Sequence, residues 1–424
     1  MQFSKIPKHP KILLYGYGLE GKSSEVWVNK NLDPSLVKIF EDNDEPSPDW
    51  KNFDLIIKSP GVAPDKIPQK VWPRVTSNLR IFLENITEIN RAKVIGITGS
   101  KGKSTTAKFT HELFKTAGLK STIIGNFGVP ALEVWDDIES LDYIVAECSS
   151  FQLYDAQIST KYALFLSFFA DHLEWHNGLE VNYFAAKENL WAYQKEGDVL
   201  IIPDSLPAVV ALQLTHGKAQ SRRTPALISQ PVEADLFPEG SILKALHFRQ
   251  NLGTVWTLAQ TLGINNLSKV WLKAAETFEP IEHRLETVRE LDGFTFVNDS
   301  IATSPDATEA AVEWFGSDLS ALILDGADTG VGGLEALIKT LIRCAPTSLI
   351  VLVESAISDK FMAVMESKNL NFKVMQSYED ALELIQTEAN QGVILLSPSG
   401  KSFNRFKNYA ERGTVFKHLV SKLT

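Results

Sequence analysis

The segment from Val94 to Thr106, VIGITGSKGKSTT, constrains the fold of this chain more than any other stretch. A short apolar run, typical of a buried strand, enters a turn rich in glycine, lysine, serine and threonine, and a segment with helical spacing follows. The backbone N–H groups of such a turn, together with the positive end of the following helix, form a site for phosphate groups. The segment therefore predicts an α/β domain that binds a nucleoside triphosphate.

The side chains of this turn can be given separate roles. Lys103 offers a mobile cation for the β- and γ-phosphates, and Ser104 or Thr105 can hold Mg²⁺. The glycine spacing departs from the usual phosphate-loop pattern, because Ile97 occupies the position expected for the first glycine. An ordinary turn therefore stays open as an alternative for the GKST string alone. The predicted nucleotide-binding residues of the loop are Gly99, Ser100, Lys101, Gly102, Lys103, Ser104 and Thr105.

Composition excludes several classes of protein. The 424 residues suffice for two or three domains, and the formal net charge of −10 argues against nucleic acid as the main partner. Cys148 and Cys344 are the two cysteines, too few for a disulfide framework or a zinc cluster. We find no signal-peptide pattern and no apolar run long enough to span a bilayer. We expect a cytoplasmic monomer that acts on small molecules, without nucleic acid or membrane partners.

The order of strand-like and helix-like segments predicts an α/β protein of three domains. Residues 1–90 read as a Rossmann-like domain. Residues 91–280 read as a mostly parallel sheet with helices on both faces, apart from an irregular stretch at 206–241. Residues 281–424 read as a second Rossmann-like domain.

The first of these domains carries a G-x-G-x-x-G turn, made by Gly16, Gly18 and Gly21, directly after a predicted strand at residues 11–15. This turn indicates a Rossmann-like βα unit more often than it indicates a bound dinucleotide. An NAD-dependent dehydrogenase therefore remains an alternative, which predicts NADH binding and no requirement for ATP.

Ligand sites of parallel sheets lie beyond the carboxyl ends of the strands, so the polar residues that follow predicted strands are candidates. Glu147 ends a strand that should neighbour the phosphate loop, as expected of a carboxylate for Mg²⁺. His172 follows another strand, and Lys187 lies on a helix among aromatic residues. In the third domain, Arg284 could reach a phosphate and Asp299 could orient a ribose or a metal-bound water. Each residue alone also fits an ordinary structural or surface role.

In combination, eight segments resemble the Mur ligases of peptidoglycan precursor synthesis, most closely the MurD-type branch that joins glutamate to UDP-N-acetylmuramoyl-L-alanine. The resemblance covers nearly the whole chain and implies three domains that bind the UDP substrate, ATP and glutamate, in that order. The segments are GITGSKGKSTT, GNFG, AECSSFQL, FFADHLEWH, NYFAAKENLW, EHRLE, VNDSIATSPDAT and LSPSGKSFNRFKNYAERG.

The resemblance implies a role for each matching residue. ATP and Mg²⁺ would bind the middle domain, with Ser104 and Glu147 at one metal ion, His172 at another, and Lys187 converted to a metal-binding carbamate. Lys103, Lys187 and His172 would be catalytic, while Asn251, Arg284 and Asp299 would complete the ATP site. The substrate-binding residues implied by the resemblance are Gly18, Ser59, Gly61, Asn126, Ser149, Gln152, Thr303, Ser402 and Tyr409.

The chain departs from the family pattern where the amino acid would bind. Ile301 and Thr329 stand where lysines are expected, while Lys401 and Arg405 offer positive charge elsewhere. A dicarboxylate loses affinity without such cations unless other donors replace them. We therefore expect D-glutamate by family default, with L-glutamate as an alternative. A folylpolyglutamate synthase and a nucleotide-binding regulator without catalysis are further alternatives.

Overall fold

The computed structural model describes residues 6–41, 44, 46–169, 171–206, 226–327, 334–355, 358–403 and 405–424. These residues form three sheets, one of four strands and two of six, with helices in the connections. The predicted α/β class is confirmed. The chain divides into two compact units, Met1–Phe278 and Glu279–Thr424, and the first unit contains two of the sheets.

The first sheet is fully parallel, with the strand order β2-β1-β3-β4. Its predicted first strand, at residues 11–15, is confirmed. The strands are β1 (Lys11–Tyr15), β2 (Leu36–Phe40), β3 (Leu55–Lys58) and β4 (Val75–Thr76), and the helices are α1 (Leu19–Asn31), α2 (Asn78–Asn85) and α3 (Glu88–Arg91).

The second sheet is also fully parallel, with the order β10-β9-β8-β5-β7-β6, as predicted for the middle of the chain. Its strands are β5 (Val94–Thr98), β6 (Ser121–Gly125), β7 (Tyr143–Glu147), β8 (Tyr162–Phe165), β9 (Val199–Pro203) and β10 (Leu227–Ser229). Its helices are α4 (Lys103–Thr116), α5 (Ser150–Leu153), α6 (Glu180–Glu188), α7 (Leu246–Thr261) and α8 (Leu267–Thr277).

The prediction of an irregular stretch at 206–241 was wrong for β10, which pairs with β9 at the edge of this sheet. Residues 207–225 of that stretch lie outside the described residues. β10 is only three residues long and exposes Leu227 and Ile228, so its sequence lacks the longer apolar run of a central strand.

One hydrophobic cluster joins the first two sheets. Ile12 and Leu14 of β1 belong to the same cluster as Phe82 of α2, Ile124 of β6 and Ile144 of β7, and all five are buried. Residues 1–90 and 91–280, which the sequence assigns to two domains, thus share an interior within one compact unit. The assignment of three separate domains stays a prediction.

The third sheet has the order β11-β12-β16-β13-β14-β15 and belongs to the second unit. Its first pair is antiparallel, which the βα pattern of the sequence did not indicate, and the other pairs are parallel. The strands are β11 (Glu286–Leu291), β12 (Phe294–Asn298), β13 (Leu319–Leu324), β14 (Leu349–Val353), β15 (Phe372–Met375) and β16 (Gly392–Leu396). The helices are α9 (Pro305–Phe315), α10 (Leu334–Cys344), α11 (Ser358–Ser367), α12 (Tyr378–Glu388) and α13 (Tyr409–Lys422).

Within the described ranges, every helix is too short or too polar to cross a bilayer.

A buried ion pair connects the segments that precede two strands of the second sheet, β5 and β9. Arg91, just before β5, makes two hydrogen bonds to the carboxylate of Asp198, just before β9, and both side chains are at least nine-tenths buried. Asp198→Asn leaves the buried guanidinium to pair only with the exposed carboxylate of Glu88, 3.8 Å away among the described residues. We therefore expect the free energy of unfolding of this unit to fall by about 3–5 kcal/mol. Urea unfolding followed by tryptophan fluorescence measures the change.

The matched control for this prediction is Asp136→Asn, which breaks the exposed ion pair between Asp136 and Lys30. It is expected to change the free energy by less than about 0.5 kcal/mol. Equal effects of the two substitutions would contradict a special role for the buried pair.

Candidate active site

The predicted phosphate loop connects β5 to α4, at the carboxyl edge of the second sheet. Gly102 stands at the N-cap of α4 with a φ of 85°, in the left-handed region. A Cβ at this position would lie 2.2 Å from Nδ2 of Asn251, so only glycine fits. Asn251, on α7, is therefore packed against the phosphate loop, although the two segments are far apart in sequence.

The segment after β8 holds the loop in place. The N–H of Ser100 donates to the carbonyl of Ser167 (2.8 Å), and its hydroxyl donates to the carbonyl of Phe169 (2.8 Å). The N–H of Lys101 donates to the hydroxyl of Ser167 (3.0 Å). Ser100 is buried and bonded within the protein through both groups, so its predicted contact with phosphate stays a prediction.

Two lysine ammonium groups meet at one carbonyl of the loop. Lys187 of α6 donates to the carbonyl of Gly99 (2.8 Å), and Lys103 donates to the same oxygen (3.1 Å). Lys187 is 1% exposed and lies 4.4 Å above the ring of Tyr183. Burial, and then the nearby charge of Lys103, lowers the pKa of Lys187 well below that of an ordinary lysine. The neutral amine, a nucleophile, is thus favoured beside the phosphate loop.

Glu147 ends β7, the strand adjacent to β5, and is completely buried. Its Oε1 accepts a hydrogen bond from Nδ2 of Asn126 (3.1 Å), whereas its Oε2 has no hydrogen-bond partner among the described residues. A buried carboxylate oxygen without a partner is costly unless a ligand satisfies it. Glu147 therefore fits the role of a magnesium ligand.

Few protein ligands are available for that ion. The described residues contain no group of three or more histidine, cysteine, aspartate or glutamate side chains arranged to hold a metal. Ser104, in the first turn of α4, is half-buried. The hydroxyl of its neighbour Thr105 is buried and has no hydrogen-bond partner in the described part of the chain. Mg²⁺ commonly takes one or two carboxylates and completes its shell with substrate phosphates and water. This donor set fits such an ion.

His172 follows β8 and has a φ of 53°, an uncommon value for a residue other than glycine. Burial, with Lys101 and Lys103 nearby, lowers its pKa despite the carboxylate of Asp171. The neutral imidazole is the form that binds metals. Asp171 also forms an ion pair with Lys101 (3.4 Å), which ties the histidine segment to the phosphate loop.

Cys148, directly after Glu147, is completely buried, and burial strongly raises its pKa. A thiol in this state is a poor nucleophile.

The G-x-G-x-x-G turn lies at the carboxyl end of β1, and its glycines differ in surroundings. A Cβ on Gly21 would lie 2.5 Å from the carbonyl oxygen of Gly16, and a Cβ on Gly16 would lie 2.9 Å from Cβ of Ser59. Gly18 and Gly61 have open space around them. Packing thus requires glycine at positions 16 and 21, and the open positions 18 and 61 leave room for a ligand. The hydroxyl of Ser59 donates to the carbonyl of Gly16 (2.7 Å).

The predicted substrate residues Ser149 and Gln152 are bonded to each other in a capping box at the start of α5. Gln152 also donates to Oε1 of Glu20 on α1 (2.6 Å), which links the first two sheets. Their substrate contacts stay predictions, since the side-chain groups already have protein partners. Lys58, the last residue of β3, interacts with Glu20 through its charge. Its ammonium is buried and has no hydrogen-bond partner in the part of the chain that the structure describes.

Burial of Glu20 predicts a pH dependence of stability. Desolvation raises its pKa from 4.5 to about 7, so the native state binds the proton more tightly than the unfolded chain does. The free energy of unfolding should therefore fall as the pH rises from about 4.5 to 7. Glu20→Gln removes this dependence. The difference in free energy of unfolding between wild type and variant should therefore change by about 3 kcal/mol between pH 4.5 and 8. Parallel pH profiles from urea unfolding would contradict the prediction.

In the second unit, Asp299 follows β12 and is buried. Its carboxylate accepts hydrogen bonds from the N–H of Leu285 (3.2 Å) and the hydroxyl of Ser397 (2.8 Å), and burial raises its pKa to about 7. Both carboxylate oxygens thus have protein partners, and the predicted contact with ATP stays a prediction. Nε of Arg284, one residue before Leu285, is buried and has no hydrogen-bond partner within the described ranges.

The residues predicted to bind the amino acid surround the carboxyl ends of β12 and β16. Ser402 is buried, Thr303 is half-buried, and Tyr409 is exposed at the start of α13. Ile301 is half-buried and donates its N–H to the carbonyl of His283 (3.2 Å). Thr329 lies outside the described residues.

The sequence reasoning missed two residues that shape the active site. Tyr183 places its ring against Lys187 and donates its hydroxyl to Ser100 (3.2 Å). Ser167 bonds to Lys101 in both directions. The signal for Tyr183 was its spacing of four residues from Lys187, which puts both on one helix face. No pattern marked Ser167.

The chain is similar to proteins of known family. A family model described as the Mur ligase middle domain matches residues 97–224. The UDP-N-acetylmuramoylalanine--D-glutamate ligase of Francisella tularensis subsp. mediasiatica (strain FSC147) is 30% identical over 423 residues, which cover 98% of this chain and 97% of the relative.

Two solved structures share the fold. The UDP-N-acetylmuramate-alanine ligase MurC from Thermotoga maritima has a TM-score of 0.60 at 16% identity, covering 98% of this chain and 100% of that one. MurF from Acinetobacter baumannii has a TM-score of 0.57 at 18% identity, and the match covers 78% of this chain and 77% of the MurF chain.

Proposed function

Because this chain belongs to the Mur ligase family, and to its MurD type, we propose that it joins glutamate to UDP-N-acetylmuramoyl-L-alanine with consumption of ATP. The observation that carries the proposal is that Lys103 and Lys187 both donate to the carbonyl of Gly99, while Glu147 lies opposite Ile97 on β5, the strand that leads into the same loop. A cation for the phosphates and a buried carboxylate oxygen for Mg²⁺ are groups suited to phosphoryl transfer onto a carboxylate.

The reaction proceeds in two steps. A carboxylate oxygen of the muramoyl substrate attacks the γ-phosphorus of ATP, and the bond to ADP breaks to leave an acyl phosphate. The amine of glutamate then attacks the activated carbonyl, loses a proton and expels phosphate, which leaves an amide. No protein nucleophile is needed, in agreement with the inert thiol of Cys148.

The protein groups act by position and charge. Lys103 stabilises negative charge on the transferring phosphoryl group, and the loop N–H groups orient the triphosphate. Glu147 and Ser104 would hold one Mg²⁺ and His172 another, and these ions when bound neutralise phosphate charge. Asn251, packed on Gly102, keeps the loop in shape.

Lys187 fits conversion to a carbamate. Its lowered pKa favours the neutral amine, which adds to carbon dioxide with loss of a proton. The product is an anion in place of a cation, and that change removes the repulsion between an ammonium and a nearby divalent cation.

The remaining assignments complete the proposal. The first sheet would bind the UDP moiety through Gly18, Ser59 and Gly61, and the third sheet would bind glutamate, so that the chain acts as three functional domains. The Francisella relative is a D-glutamate ligase by name, which favours D-glutamate over the L-enantiomer. We further propose that the chain acts as a monomer and that it works in the cytoplasm, the compartment that its two cysteines suggest.

Phosphate release tests the function. The purified protein, given ATP, Mg²⁺ and UDP-N-acetylmuramoyl-L-alanine, should release phosphate with D-glutamate and much less with L-glutamate. Reversed preference would assign the L-specific alternative. Absence of release with both enantiomers would overturn the ligase and favour a non-catalytic regulator, and NADH binding without any effect of ATP would favour the dehydrogenase.

A further inference from the structure

The phosphate loop carries a third lysine, Lys101, whose ammonium has no role in the proposed reaction. Lys103 and Lys187 both donate to the backbone carbonyl of Gly99. The ammonium of Lys101 instead lies 3.4 Å from Oδ2 of Asp171, in the segment after β8. It therefore has a carboxylate partner, where the other two ammonium groups bond to backbone. This inference about Lys101 rests on the proposed function, since it assumes that the loop binds ATP.

The main chain of Lys101 is fixed, while its side chain is accessible to a ligand. Its N–H donates to the hydroxyl of Ser167 (3.0 Å), and its carbonyl accepts from that hydroxyl (3.1 Å). The side chain of Lys101 is 40% exposed, and that of Asp171 is 27% exposed. A lysine ammonium on a flexible four-carbon stem can change its partner while the backbone stays in place.

Asp171 lies between Lys101 and His172. Its Oδ1 is 3.7 Å from Nε2 of His172 and accepts a hydrogen bond from the N–H of that residue (3.0 Å). The proposed function assigns a Mg²⁺ ion to His172, and metal ions in phosphoryl transfer bridge the β- and γ-phosphates. The γ-phosphate of ATP would therefore lie close to the ion pair of Lys101 with Asp171.

The ion pair of Lys101 and Asp171 is weak enough to be exchanged. Ion pairs between partly exposed side chains contribute little to stability. The separation of 3.4 Å is also longer than the roughly 2.7–2.9 Å of a strong charge-assisted hydrogen bond. A γ-phosphate carries more negative charge than a carboxylate and offers three oxygens, so it competes effectively for the ammonium.

We propose that Lys101 distinguishes ATP from ADP by exchanging Asp171 for the γ-phosphate. With ATP in the loop, the ammonium binds a γ-phosphate oxygen and leaves the carboxylate of Asp171. With ADP, no γ-phosphate competes and the ammonium stays paired with Asp171. ATP thus gains a charge-assisted contact that ADP lacks. The contact is lost again when the γ-phosphoryl group is transferred, so the product ADP is held less tightly than the substrate ATP.

Equilibrium binding of nucleotides to the full chain tests the proposal without catalysis. The probes are ADP and a non-hydrolysable ATP analogue with a methylene group between the β- and γ-phosphorus atoms, each with Mg²⁺, and titration calorimetry gives the Kd. Lys101→Gln should raise the Kd of the analogue about 10-fold and that of ADP less than about twofold. Lys101→Arg, which keeps the charge, should retain most of the preference for the analogue.

A second substitution separates phosphate binding from a structural role of the ion pair. Asp171→Asn removes the carboxylate partner, so Lys101 should then be available to the γ-phosphate without competition. We expect Lys101→Gln to weaken analogue binding at least as much in the Asp171→Asn background as in wild type. If Lys101 acted only by holding Asp171 and the His172 segment in place, its replacement would have no further effect in that background, and the proposal would fall.

Lys115→Gln is the matched control, because Lys115 is an exposed lysine in the last turn of α4, the helix that follows the loop, and is paired with Glu112 (3.6 Å). It should leave both Kd values unchanged. Equal increases for the analogue and ADP in Lys101→Gln, or no increase for either, would overturn the proposal. Failure of the ligase function is distinct, because both nucleotides would then bind while no phosphate is released with either glutamate enantiomer.

Discussion

Glu147→Gln is expected to lower kcat for phosphate release by a factor on the order of 10³, because Oε2 of this residue is the buried oxygen that we assign to Mg²⁺. Glutamine has nearly the same shape and can keep a hydrogen bond with Asn126, but it carries no charge. The loss should therefore appear in the chemical step and in the magnesium concentration needed for half-maximal activity.

Glu147→Gln should lose activity without losing stability. Thermal unfolding of Glu147→Gln should match that of wild type, since the substitution removes a buried charge and changes little volume. Glu133→Gln, at an exposed position in the connection between β6 and β7, is the control and should retain full kcat. If Glu147→Gln kept wild-type kcat and magnesium dependence, the metal-binding role of Glu147 would be refuted.

Lys187→Ala should lower kcat by about 10²- to 10³-fold, since it removes the amine that we expect to carry the carbamate. Part of this activity should return when formate or acetate is added, because a small carboxylate can occupy the vacated space and supply the missing anion. Phosphate release measured against acid concentration checks the rescue.

The control for this rescue is Lys195→Ala, at an exposed lysine paired with Glu88. It should keep wild-type activity and show no stimulation by added acid. A fully active Lys187→Ala enzyme without added acid would remove the carbamate role, and an inactive enzyme that no acid restores would leave only a positioning role through Gly99.

The sequence predicted the elements that carry the phosphate loop, because strand, glycine turn and helix are encoded locally. β5 and α4 lie where the pattern VIGITGSKGKSTT indicates, and Gly118 ends that helix region with a positive φ of 80°. The position of Glu147 was predicted for the same reason, since the ends of adjacent parallel strands meet at one edge.

The sequence did not indicate which polar groups have partners within the protein. The bond of Gln152 to Glu20 joins residues 132 positions apart, and no local pattern encodes such a contact. The short edge strand β10 and the antiparallel β11 were missed because edge strands lack the continuous apolar run of buried parallel strands.

The sequence spacing also did not indicate that Lys187 is buried. A lysine on an amphipathic helix is usually a surface residue, and its burial here depends on β5, the loop and Tyr183 arriving from other parts of the fold. The resemblance to the family, rather than the local sequence, pointed to this lysine.

The shared interior of the first two sheets limits how the polypeptide can be divided. Dividing the chain after residue 90 would expose buried apolar side chains to solvent on both fragments. These are Ile12, Leu14 and Phe82 on one fragment, and Ile124 and Ile144 on the other. Such fragments should aggregate in solution instead of folding as independent domains. A cut between Phe278 and Glu279, where the two compact units are joined, is the better choice for producing separate pieces.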